Sequence, residues 1–459
     1  MDYQEFLESK RIITLAHGMD ISADQIQRDT PCLFDYQRDI VRWALAKGRS
    51  AIFAGTGMGK TRMQLAWSRY IGNVLILAPL TVADQTVEEG RAIGLSVNLC
   101  STASDVQPGI NITNYEKMDK FDMSVFDGIV LDESSILKSQ TGKVRTELIH
   151  RCECIPYRLC CTATPSPNDY MELGNHSEFL GVMKSKEMLA TFFVHDGGET
   201  SKWRLKKHAL MDFWDWVASW AVMLTNPSDL GYDGTKFILP PLSIHQITVQ
   251  QYDELGIPID TVAKTLTERH NARRDSMDSR VDACVDLLKD SDESWLIWCN
   301  LNAESDKLHK KIPDSVEVKG SDKPEYKAQM MRDFTDGKVR ILISKPSICG
   351  FGMNWQHCHN MAFVGLSDSF EQYYQAVRRC YRFGQLHPVN VYFIVANTEG
   401  AVVANIKRKE DDFGAMLHHM IAATQDITAN NIRRVERQQE RYNPKMPMVL
   451  PLWLKGEVS

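Results

Sequence analysis

An α/β fold built on mainly parallel sheet is predicted by three observations. Short apolar runs such as "NVLILAP" (Asn73–Pro79) are followed by turn chemistry and then helix, and the earlier stretch "RSAIFAGTGMGKTRMQLAWSRY" has the same order of strand, loop and helix. A glycine-rich turn joins strand to helix in that earlier stretch. A further apolar run, Ile129–Leu131 in "FDGIVLDESSILKS", ends on the acidic pair Asp132-Glu133.

Length and composition bound the answer. At 459 residues the chain has room for two or three domains, and 43% hydrophobic with 24% charged residues is ordinary globular composition. No apolar run reaches the ~18 residues of a membrane span, and the start "MDYQEFLESKRIITLAHGMD" lacks the basic-then-apolar order of a signal peptide. A cytoplasmic protein without a membrane partner is therefore expected. The 11 cysteines show no C-x-x-C spacing, which points to reduced thiols rather than disulfides or structural zinc. A formal charge of -6 confines any nucleic-acid contact to a local patch or groove.

The first element with chemistry is "AGTGMGKT". Gly55, Gly57 and Gly59, with Thr56 and Met58 between them, let the backbone curl so that its N–H groups face phosphate oxygens at the start of a helix. Lys60 would reach the terminal phosphates, and the Thr61 hydroxyl would meet Mg2+. Ala54 stands where the phosphate-loop pattern has its first glycine. A ligand-free glycine-rich turn is the plain alternative, but Lys60 with Thr61 after a strand favours phosphate. At the later strand end, Asp132 would hold Mg2+ through water and Glu133 would polarise an attacking water; such pairs also cap helices.

Two further stretches complete this reading. "KWRLKKHALMDFWDWVASWAVML" carries Leu210, Phe213, Trp214, Val217, Ala221 and Leu224 at helical spacing, so an amphipathic helix with packed aromatics is predicted, preceded by the cations Lys202, Arg204, Lys206 and Lys207. "AVRRCYRFGQ" (Ala376–Gln385) crowds Arg378, Arg379 and Arg382 together, and such a run needs an anion opposite it unless it is a solvated face. "HCH" (His357–His359) lacks partners at zinc spacing and reads as a turn. Cys160-Cys161 reads as two small hydrophobes on a strand.

The order of these motifs resembles superfamily 2 helicases, and within them the Swi/Snf-type double-stranded DNA translocases. "LFDYQRDIV" is similar to the Q motif, "LILAPLTVADQTVEE" to motif Ia, "ITNYEKM" to Ib, "DESS" to the acidic box and "RLCCTATPSPNDYMELGNHSEFL" to motif III. "WLIWCNLNAESDKL", "VEVKGSDKPEYKAQMMRDF" and "VRILISKPSICGFGMNWQ" follow as motif IV, its successor and motif V, and "QAVRRCYRFGQ" as motif VI. The likeness runs from about Leu33 to Thr398. It implies two RecA-like lobes, each a mainly parallel sheet flanked by helices, with ATP held by the first and completed by Arg379 and Arg382 of the second.

The same likeness implies Gln37 at the adenine edge, with Gly350 and Gly352 close to nucleotide or DNA. Pro79, Leu80, Thr81, Thr113, Thr164 and Ser344 become candidate contacts to the backbone of DNA, double-stranded or branched. Ser134 and Ser135 depart from the His-bearing ending of the acidic box, which bears on its coupling to motif III. The expected domains are an ATP-binding lobe over residues 1–182, a helical connecting or protruding segment over 183–240, a second lobe over 241–425 and an extension over 426–459 that would brace a lobe, bind DNA or recruit a protein partner. A compact phage-like DNA translocase is the favoured function. Its rivals are a strand-separating helicase on single-stranded DNA or RNA and a non-motor ATP switch.

Overall fold

The computed structural model describes residues 18–79, 82–138, 142–167, 169–196, 199–251, 273–350, 353–367 and 369–433. It contains two all-parallel sheets and one small hairpin. In lobe one the strands are β1 (Arg49–Ala54), β2 (Val74–Ala78), β3 (Val97–Leu99), β4 (Ile110–Asn114), β5 (Gly128–Asp132) and β6 (Tyr157–Thr162). The hairpin pairs β7 (Phe193–Asp196) with β8 (Glu199–Leu205), and β9 (Ala221–Leu224) completes the lobe-one sheet in the order β3-β4-β2-β5-β6-β1-β9.

Lobe two holds β10 (Leu242–Val249), β11 (Trp295–Trp298), β12 (Ser315–Val318), β13 (Ile341–Ser344), β14 (Asn360–Phe363) and β15 (Val389–Ala396), ordered β10-β15-β14-β11-β13-β12. Every residue of β2, β5, β11, β13 and β14 is buried. That is why these strands read as continuous apolar runs rather than alternations: helices cover both faces of each sheet. In such sheets the loops at the carboxyl ends of the strands carry ligands; the glycine-rich turn follows β1 and the acidic pair ends β5, whereas Arg379 and Arg382 lie in the turn between the helix Phe370–Val377 and β15.

The segment 183–240 departs from the expected connection. The predicted helix spans Leu210–Trp220 and stops four residues before the end of its apolar stripe. Ala221–Leu224 instead pairs in parallel with β1 as the edge strand β9. Apolar periodicity cannot separate a helix tail from a buried strand of four residues; the Ala221 backbone turns extended, at φ -128 and ψ 142, and four all-buried side chains follow. Phe213, Trp216 and Trp220 pack into the lobe-one core, where Phe213 meets Phe192 edge-on and Trp216 packs against it at a tilt. The segment thus belongs to the body of lobe one.

The 34-residue helix Gly400–Arg433 also crosses an expected boundary. At ~1.5 Å per residue it is about 50 Å long. Its first half buries Val402, Ile406 and Phe413 in the core of lobe two, whereas Met420, Ile421 and Ile432 are buried in the cores of lobe one. Near its end Arg42 donates to the Ile432 carbonyl at 3.3 Å, and Asn431 donates to the Ala218 carbonyl at 3.4 Å. The expected extension over 426–459 is therefore helical to Arg433, packed on lobe one, and lies outside the described residues from 434 onward.

Candidate nucleotide and nucleic-acid cleft

The glycine-rich turn leaves β1 and enters the helix Lys60–Ser68. Gly57 and Gly59 have φ of +90° and +76°, which side-chain-bearing residues rarely adopt. A Cβ on Gly59 would sit 2.2 Å from Gln37 Nε2, so a side chain there would have to displace that amide from its place against the turn. Tyr36 Oη and Gln37 Nε2 both donate to the Met58 carbonyl, at 2.9 and 3.0 Å, and Gln37 Oε1 accepts from Phe34 N at 3.0 Å. Gln37 is 2% exposed. The structure thus seats Gln37 beneath the loop as its support, with both ends of its amide in use.

Lys60 Nζ donates to the Ala54 carbonyl at 2.9 Å, folding back over the turn. Burial pushes its ammonium below the usual lysine range, opposed by Glu133 and Asp132. Thr61 is half-buried on the first turn of the helix, and the Thr56 hydroxyl is buried without a hydrogen-bond partner. Asp132, at the end of β5, is 5% exposed and accepts from Gln64 Nε2 at 2.7 Å. Burial raises its carboxyl above the ordinary range, with the Glu133 charge adding to the effect.

Glu133 has φ +57°, alone among non-glycine residues within the described chain. Holding such a residue there costs about 1–2 kcal/mol. Its Oε2 accepts from Thr162 Oγ1 at 3.2 Å, and Thr162 Oγ1 in turn accepts from Thr164 N at 3.1 Å. Ser134 Oγ lies 3.2 Å from His176 Nε2, a fully buried ring stacked edge-on against Phe53 and lowered to about 4 by burial. These contacts tie the acidic turn to the end of β6 through Thr162 and, through Ser134 itself, to the helix Leu173–Leu180.

Lobe two brings its arginines to the same place. Arg379 is 4% exposed and held by three bonds: Nε to the Gln375 carbonyl at 3.0 Å, Nη2 to Gln375 Oε1 at 3.1 Å and Nη1 to the Met353 carbonyl at 3.2 Å. Burial lowers it, and the charges of Glu133 and Asp132 act against that. Arg382 is lowered to about 9 by burial and then by Arg379, offset by Glu89 and Glu133, and its Nε is buried without a partner. Lys60 of lobe one and Arg379 and Arg382 of lobe two thus all feel the charge of Glu133, while Glu89, the further carboxylate acting on Arg382, also pairs with Arg62 at 3.1 Å. Arg378 points elsewhere: its guanidinium stacks over Tyr374 and Tyr381 at 5.0 and 5.1 Å from their ring centres.

Lobe-to-lobe contacts close the cleft. Lys138 pairs with Glu371, and Arg332 with Asp84 at 3.9 Å. A cavity of about 480 Å³ runs between the lobes, with Lys117 and Asn114 on one wall and Lys327, Met331 and Asn354 on the other. The carboxamide oxygens of Gln85, Asn114 and Asn354, which line it, are buried without partners.

The expected nucleic-acid contacts are only partly brought here. Thr113 donates to the Cys100 carbonyl at 2.8 Å and Ser344 to the Val318 carbonyl at 2.8 Å, and both are at most 1% exposed. These hydroxyls tie neighbouring strands instead of facing the cleft. Thr164 is buried, its hydroxyl unpartnered. Pro79 follows β2, its carbonyl accepting from Val82 N at 2.9 Å. Gly350 ends the short helix Pro346–Cys349, and its N–H is spent on the Pro346 carbonyl at 2.8 Å. Leu80, Thr81 and Gly352 lie outside the described residues. Lys206 caps a helix end through the Ala190 and Thr191 carbonyls. The cavity-lining residues Asn114, Lys117, Lys327 and Asn354 fall within the quoted motif stretches but were not among the candidates named from sequence; Asn114 is one residue from Thr113.

Residues 279–384 match the family described as helicase conserved C-terminal domain. A curated relative, putative protein p41 of Acyrthosiphon pisum secondary endosymbiont phage 1, is 23% identical over 441 residues, covering 79% of this chain and 92% of that protein. Among solved structures, S. cerevisiae Dbp5 bound to RNA and ADP BeF3 superposes with a TM-score of 0.53 at 13% identity, covering 85% of this chain and 93% of that one. A structure of a Dbp5 variant with the same ligands gives 0.51 at 12% identity over the same shares. The two parallel-sheet lobes match the tandem RecA-like fold of helicases such as Dbp5.

Proposed function

We propose that this chain is an ATP-driven motor that translocates on DNA, double-stranded or branched, and remodels what it meets there. The observation that carries this is the convergence of Lys60, Asp132 and Glu133 of one lobe with Arg379 and Arg382 of the other across one cleft. The motif order similar to Swi/Snf-type translocases supports DNA.

The donor set suits MgATP. Gly55, Gly57 and Gly59 offer a cradle without side chains, and Lys60 would turn from the Ala54 carbonyl to the terminal phosphates. Thr61 and Asp132 would offer the hard oxygens Mg2+ prefers. Bound there, Mg2+ would neutralise charge on the phosphates. Glu133 orients the attacking water, and Arg382, with its unpartnered Nε, meets the charge that spreads over the γ-phosphoryl group. Because one ligand touches both lobes, they close on ATP and relax after hydrolysis, so a gripped strand advances.

Lys117 and Lys327, on opposite walls of the interlobe cavity, are placed to hold a phosphate backbone. A second reading, a strand-separating RNA helicase, is favoured by the likeness to Dbp5 bound to RNA. ATP turnover titrated with duplex DNA, single-stranded DNA and RNA separates the two. Lys60→Ala should abolish turnover, and Arg382→Ala should lower it by ~10³-fold or more with ATP binding largely kept. Turnover that survives Lys60→Ala rejects the site, and the absence of any nucleic-acid stimulation rejects the motor.

A further inference from the structure

Between Arg382 and Gly384 the chain carries Phe383, whose ring leaves its own lobe. Tyr381, two residues earlier, packs against the core of lobe two, whereas Phe383 packs against a core cluster of lobe one. It stacks on Phe237 at 4.7 Å between ring centres with 30° between planes, and meets Phe34 edge-on at 6.4 Å. Phe237 also packs edge-on against Tyr36 at 5.6 Å, and the Tyr36 hydroxyl holds the Met58 carbonyl of the phosphate loop. The fit to the loop is direct as well. A Cβ on Gly57 would fall 2.8 Å from Phe383 N and 2.9 Å from Phe383 Cβ, closer than side-chain carbons approach.

We propose that Phe383 is a positioning residue: its ring, seated in the Phe34–Phe237 box, registers the arginine turn of lobe two on the phosphate loop of lobe one. The inference rests on the nucleotide reading above and names the part that sets where Arg382 points. The turn is stiff enough to transmit that register. Gln356 Nε2 donates to the Phe383 carbonyl at 3.1 Å, Gln385 N donates to the Arg382 carbonyl at 3.0 Å, and Gln385 Nε2 donates to the Cys358 and Cys380 carbonyls at 3.1 and 3.2 Å. Gly384, at φ +92°, makes the bend that separates ring and arginine from the following strand. Arg382 has no hydrogen bond on its buried Nε, so its aim depends on this neighbour, whereas Arg379 is aimed by Gln375.

The test compares Phe383→Ala, Phe383→Leu, Arg382→Ala and the double variant in the full chain. A misplacement of ~1 Å costs on the order of 10²-fold in rate. Phe383→Ala should therefore lower kcat for ATP by ~10- to 10²-fold while the affinity for a fluorescent ATP analogue stays within ~3-fold, and Phe383→Leu, which keeps apolar bulk, should recover most of the rate. The double variant should be no slower than Arg382→Ala, because the ring acts through that arginine. Wild-type kcat in Phe383→Ala, equal loss of affinity and rate, or multiplicative losses in the double variant would each overturn the assignment. If the wild-type protein proves to have no ATPase activity, hydrogen exchange still reads the contact: amides of residues 55–60 should exchange faster in Phe383→Ala, and unchanged protection sinks the proposal.

Discussion

Replacing Glu304 with alanine should destabilise lobe two by about 3–5 kcal/mol. Arg280 and Glu304 are both 0% exposed, with Nη2 and Oε1 2.8 Å apart. Glu304 Oε2 also accepts from Asn300 N at 2.9 Å and Leu301 N at 3.0 Å, capping the helix Asn302–Lys311. Alanine removes the charge and both acceptors, leaving Arg280 with Glu399 at 3.4 Å as its carboxylate. Glutamine keeps an oxygen for the two amides and loses only the charge, so Glu304→Gln should recover roughly 1–3 kcal/mol of the loss. Replacing Arg280 by Met together with Glu304 by Leu should recover part as well, since no buried charge of this pair is then stranded. Native-state hydrogen exchange of the β11 and β13 amides reads the local free energy without requiring a two-state transition of the whole chain. A loss under about 1 kcal/mol for the alanine variant would refute the energetics assigned to this pair.

Three further outcomes are expected. Glu133→Gln should lower ATP turnover by ~10²-fold or more while nucleotide still binds, as checked by single-turnover hydrolysis beside an equilibrium binding titration. His176 is held neutral in the fold, at about 4 against an ordinary value of 6.5. The unfolded chain binds the extra proton first as pH falls, so stability drops between about pH 6.5 and 4 by up to ~3 kcal/mol. Urea unfolding across that window should show a shallower pH slope in His176→Gln. Lys117→Ala and Lys327→Ala should each reduce the slope of log affinity against log salt by about 1 for the nucleic acid that stimulates turnover, and an unchanged slope would remove that lysine from the groove.

The glycine-rich turn after β1 and the acidic end of β5 were legible as elements because their residues are neighbours in sequence: the glycines with Lys60 and Thr61, and Asp132 with Glu133. The arginine pair was legible only through motif order, since nothing local brings Arg382 to Lys60. Thr113 and Ser344 misled for a physical reason. A hydroxyl at a strand end can face the ligand edge or bond a carbonyl of the adjacent strand, and only the register, here Cys100 and Val318, decides. β9 was hidden because its four apolar residues continue the period of the preceding helix until the chain meets the open edge of β1. Phe383 reads as one apolar letter among arginines, and the rings it meets, Phe34 and Phe237, are both distant in sequence.

The long helix from Gly400 to Arg433 means that the polypeptide travels between the lobes and then returns. Each half of the protein therefore finishes the other: lobe one lacks the side chains that fill the groove over Ala218 unless the last part of the chain is present. Splitting the gene between the lobes would leave the first fragment with a bare oily furrow and the second with an unsupported rod. The two halves cannot be exchanged between proteins as interchangeable cartridges.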